Sequence, residues 1–110
     1  MGVDLYVMAE DEEHADDIST CSGDLANELD VLSGLGKGTI MDFFSSLDEP
    51  VYHDPKKVLV AVEKTLTKLA KKNEDAFERS KKVCLEDLQE IKEVLQKAIE
   101  VKTKVSVTIG

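Results

Sequence analysis

Few residues in this chain could start chemistry: two histidines, two cysteines and a surplus of carboxylates. His14 stands among Glu12, Glu13, Asp16 and Asp17, an imidazole and carboxylate set able to hold a divalent cation loosely. The run Asp11 to Asp17 lacks the sixth-position glycine and closing glutamate of a calcium loop, so a solvated acidic loop explains it and no metal is expected. His53, followed by Asp54, reads as a linker residue beside a helix cap. Cys21 and Cys84 have no neighbouring cysteine, which rules out a CxxC redox pair or a zinc knuckle built from them alone. Both are expected as reduced thiols, Cys84 within an apolar helical stripe and Cys21 exposed in the polar run Ser19 to Ser22. Gly36-Lys37-Gly38-Thr39 echoes the tail of a nucleotide kinase phosphate loop. Its spacing fails: position 31 is Val where the first glycine belongs, and Gly follows Lys where a Mg²⁺-binding hydroxyl belongs. With no GxSxG or HExxH either, the expectation is a protein without catalytic residues or a cofactor.

Charge carries more information. The 110 residues hold 14 bases and 23 acids, a formal charge of −9, which argues against direct binding of nucleic acid or anionic membrane through a broad surface. Residues 1 to 53 contain thirteen acids and one base, Lys37, a formal −12, whereas residues 54 to 110 contain thirteen bases and ten acids, a formal +3. Asp24 and Glu28, one helical turn apart at roughly 6 Å, repeat on the scale of backbone phosphates. Like charges at that spacing cost a helix a few tenths of a kcal/mol, and a basic partner would relieve them. The candidate binding residues are therefore Asp11, Glu12, Glu13, Asp16, Asp17, Asp24, Glu28 and Asp30. The expected role is non-enzymatic: to inhibit or neutralise a basic partner of nucleic-acid-binding or nuclease type, as immunity proteins, antitoxins and phage anti-defence proteins do. The competing expectation is an interaction or assembly protein that docks through a long helical hairpin, with the acidic half serving only solubility.

The elements that position these residues follow from periodicity. Val3, Leu5, Val7 and Ala9 alternate with Asp4, Tyr6 and Met8, the mark of a half-buried strand. Leu25, Leu29 and Leu32 predict a helix over 23 to 33, capped by Ser22 and stopped by a left-handed Gly34. Ile40, Phe43, Phe44 and Leu47 predict a short helix over 40 to 47, opened by Thr39 with Asp42 completing a capping box. Pro50 ends it, and Val51 to His53 reads as extended linker or short strand. Asp54-Pro55 restarts a helix over 55 to 72 with Val58, Leu59, Val62, Leu66, Leu69 and Ala70 as its stripe and lysines on its wet side. Asn73 ends or kinks it, and a second helix over 75 to 102 carries Phe77, Cys84, Leu88, Ile91, Leu95 and Ala98. Val105, Val107 and Ile109 alternate as a closing strand.

The expected fold is one α+β domain over 1–110, mainly helical. Its N- and C-terminal strands pair as a small antiparallel sheet on the helical hairpin, in the order βααααβ. Unpaired edges on so small a sheet leave room for a homodimer through a strand edge or the hairpin. Residues 1 to 20 lack the basic start of a secretory leader, and the longest apolar runs have five residues, so a cytoplasmic location is expected.

Overall fold

The computed structural model describes residues 3–72 and 78–110. In chain order its elements are β1 (Leu5–Ala9), β2 (Ser19–Ser22), α1 (Gly23–Asn27), α2 (Leu29–Ser33), a 3-10 turn (Ile40–Phe43), β3 (Phe44–Ser46), β4 (Tyr52–His53), α3 (Pro55–Ala70), α4 (Glu78–Val101) and β5 (Val105–Ile109).

The terminal strands pair antiparallel, Leu5 opposite Ile109 and Ala9 opposite Val105. They are not a two-stranded ribbon, however. β2 joins the free edge of β1, while β3 (parallel) and β4 (antiparallel) share the far edge of β5. The expected antiparallel pair is thus the middle of a five-stranded mixed sheet. Burial shows why β5 takes the centre: Val105 and Val107 are buried, and so are Ser106 and Thr108 on the opposite face. A strand paired along both edges leaves none of the unpaired backbone a ribbon would expose.

Helices pack against the sheet face that presents Leu5, Val7, Ala9, Val105 and Val107, in one core with Val58, Val62, Leu69, Leu88, Ile91 and Leu95. α3 and α4 run antiparallel as expected: Glu63 meets Lys92 at mid-length, and the Lys72 backbone carbonyl accepts from Lys81 Nζ at 2.9 Å. Asp54 caps α3 by accepting from Lys56 N–H at 3.0 Å, with Pro55 in the first turn. Of the expected α3 stripe, Ala70 is exposed and Leu59 and Leu66 are half-buried, while Ala61 and Thr65 complete the buried face. Asn73 and Phe77 lie outside the described residues.

Three local expectations are corrected. The helix over 23 to 33 is two short ones, parted at Glu28 (φ −110°, ψ 29°); Gly23, Asp24, Asn27, Asp30 and Ser33 are weak helix formers. Ser22 does cap it, accepting from Leu25 N–H at 3.0 Å. Gly34 is right-handed (φ −71°), and the left-handed glycines are Gly36 (φ 90°) and Gly38 (φ 81°). The helix over 40 to 47 is one 3-10 turn followed by β3. Its capping box never closes, because Asp42 takes the N–H of Gly38 at 2.7 Å and the Thr39 hydroxyl donates to Gly36 O. The chain gains more by adding Phe44 to Ser46 to the open edge of β5.

Candidate functional site

The eight candidate carboxylates fall into two groups. Asp11, Glu12, Glu13, Asp16 and Asp17 are exposed on the loop joining β1 to β2. That loop is folded: Asp11 Oδ1 accepts from Glu13 N–H, Ile18 N–H donates to His14 O, and the buried Ile18 anchors its end. Glu10 N–H donates to Lys104 O and Asp11 N–H to the Thr103 hydroxyl, tying the loop to the start of β5. Asp24 and Asp30 are exposed and Glu28 is half-buried, at the other end of the β1–β2 hairpin. The length of β1 separates the groups by about 15 Å.

The second group has members that sequence reasoning missed. Ser22 Oγ donates to Asp87 Oδ2 at 2.5 Å, so one hydroxyl caps α1 and binds α4. Burial pushes the Cys84 thiol up to about 12, and the negative charges of Glu28, Asp24 and Asp87 add to the rise. Asp4 closes the cluster: its carboxylate lies 3.0 Å from where a Cβ on Gly23 would stand, and it accepts from the Tyr6 hydroxyl at 3.3 Å. The Asp4 charge, with some burial, raises the Tyr6 phenol above its ordinary value. Only a known α1–α4 contact would have brought Asp87 into this group, since nothing local in its sequence marks it.

None of the eight carboxylates has an ion-pair partner among the described residues; the pair formed there, Lys92 with Glu63 at 3.7 Å, lies on the hairpin. Asp11, Glu13 and His14 place ligand atoms within 4.8 Å of one another, the set best placed to hold a cation. Glu12, Asp16 and Asp17 are not part of it.

The remaining candidates are occupied structurally. His53 meets Phe43 edge to face at 4.9 Å. Thr39 is buried and its hydroxyl is spent on Gly36 O. The glycine loop packs under lysines: Lys64, Lys68 and Lys72 place their ammonium groups over Gly38, Gly36 and Gly34, and Lys68 Nζ donates to Leu35 O at 2.7 Å. Cys21 is exposed and Cys84 buried, both free. No described helix is long and apolar enough to cross a membrane.

Comparison with protein-family models, with curated proteins and with solved structures finds no match.

Proposed function

We propose that this chain is a non-enzymatic acidic binding protein that inhibits or neutralises a basic protein partner of nucleic-acid-binding or nuclease type. The observation that supports the reading is that, among the described residues, none of the eight candidate carboxylates forms an ion pair and seven of them are exposed, with the half-buried Asp4 and Asp87 adding charge beside Asp24 and Glu28. A protein that used these charges for its own cohesion would pair them. Left unpaired, they project a negative field that speeds encounter with a positive surface by about 10- to 1,000-fold, and salt weakens that field.

The test is association kinetics with the purified partner across ionic strength. Changing Asp24, Glu28 and Asp30 to Asn or Gln should slow association at low salt and leave dissociation nearly unchanged. The control must avoid Lys64 and Lys68, which pack on the glycine loop; Lys57 on α3 and Lys71 at its C-terminal cap are exposed and suited to it. An amide variant with wild-type kinetics at low salt would overturn the reading.

Docking through the helical hairpin is the alternative. It is favoured by Val60, which stands 66% exposed on α3. Such docking would be nearly indifferent to salt.

A further inference from the structure

We propose that the outer face of the sheet, opposite the helices, is the floor on which the basic partner docks. The inference rests on the function proposed above and assigns it a surface. Register alone defines the face. On β1 it carries Tyr6 and Met8, which stand opposite Thr108 and Ser106 of β5; beyond β5 lie Ser45 and Tyr52, and beyond β1 lies Cys21. Met8 is 37% exposed, Cys21 is exposed, and Tyr6, Ser45 and Tyr52 are half-buried, around the buried Ser106 and Thr108. Leu47, 44% exposed, extends the floor across Gly110.

Composition and charge together indicate the occupant. Tyrosine, methionine and small hydroxyl residues form the floor, the mixture enriched at the centres of protein interfaces. Its margins are acidic: Asp4 and Glu10 continue the outward row of β1 at its two ends, and Asp48 and Glu49 form the exposed turn after β3. Lys104, whose carbonyl accepts from Glu10 N–H, adds a base at that margin. A second copy would set acidic rim against acidic rim, which like-charge repulsion opposes, whereas a partner with an apolar centre and basic rim is complementary. The face is also incompletely satisfied in the free chain: among the described residues, the Thr108 hydroxyl beneath it is the buried side-chain oxygen without a hydrogen-bond partner.

Cys21 makes the test direct, because it is the exposed thiol and lies on this face. The full chain, labelled there with a benzophenone, is irradiated at low salt in extract of its source organism, and the adduct is identified and its partner purified. Affinity of that partner is then measured for wild type, Met8→Gln/Leu47→Gln, Asp24→Asn/Glu28→Gln/Asp30→Asn and the control Val60→Gln. The expected result is an adduct with a basic protein, a loss of about tenfold or more in affinity for the Met8/Leu47 variant with its melting temperature retained, and no loss for the control. No adduct, an adduct with a second copy of this chain or with an acidic protein, or wild-type affinity in the Met8/Leu47 variant overturns the docking face. A basic partner that is weakened by the Asp24/Glu28/Asp30 variant but not by the Met8/Leu47 variant overturns the face alone; one indifferent to the former overturns the acidic-binding reading itself.

Discussion

Two threonines illustrate how a single hydroxyl is decided by its surroundings. Thr65 Oγ1 donates to Ala61 O at 2.7 Å and accepts from Ile40 N–H at 2.9 Å, holding the 3-10 turn against α3, whereas buried Thr108 Oγ1 has no partner. Thr65→Val orphans a buried N–H and should cost about 1–3 kcal/mol; Thr108→Val removes an unmet hydroxyl and should be neutral or stabilising. Thermal melts of the two variants check the opposite signs. Cys84 offers a pH prediction. Its folded pKa, about 12, lies above the ordinary 9.0, so its contribution is complete below pH 9 and is lost as the unfolded thiol ionises above it. Stability should therefore fall by up to about 1.4 kcal/mol per pH unit between those values, and Cys84→Ala should flatten that slope in denaturant titrations. At pH 8 a thiol reagent should find only Cys21 in the native chain. Neither Thr65 nor Asp87 could be singled out beforehand, because each acquires its role from a residue distant in sequence.

Elements built from local signals were legible, and those built by partners were not. Ser22 and Asp54 cap helices as their types predict, and α3, α4, β1 and β5 follow their apolar periods. β2 is Ser-Thr-Cys-Ser, with no apolar alternation at all; it is a strand because β1 offers an edge. β3 and β4 likewise depend on β5, more than fifty positions away. Seven of the eight candidate carboxylates are exposed, Glu28 being half-buried, but their division into two groups was not legible, since it depends on the direction of the β1–β2 hairpin. In the glycine loop, Gly38→Ala meets both a left-handed φ of 81° and the Lys64 side chain, while Gly34 has a right-handed φ and more room. Gly38→Ala should destabilise by more than about 1 kcal/mol and Gly34→Ala should be tolerated, a contrast that denaturant midpoints resolve. Leu88, wholly buried on α4, should cost about 2–5 kcal/mol when truncated to Ala.

At the scale of the whole molecule, an acidic half with no ion pair among the described residues means the fold works against its own field. Raising the ionic strength should raise the melting temperature, and the Asp24/Glu28/Asp30 amide variant should show a smaller salt effect while staying within about 0.5 kcal/mol of wild type. Calorimetry at several salt concentrations measures both. Amide exchange should be slowest in β5, which is paired on both edges, and faster in β2, which forms an edge. The central place of β5 also bears on the nascent chain. It follows in sequence every strand of the sheet, yet β1, β3 and β4 all pair with it. During translation the β1–β2 hairpin and the two long helices can form as they emerge, but the sheet has no middle until β5 is released, and the apolar stripes meant to cover it must wait. Slow, long-range closure of that kind is where a young chain is most open to aggregation, so a ribosome-stalled chain ending before β5 should bind chaperones that the completed chain does not.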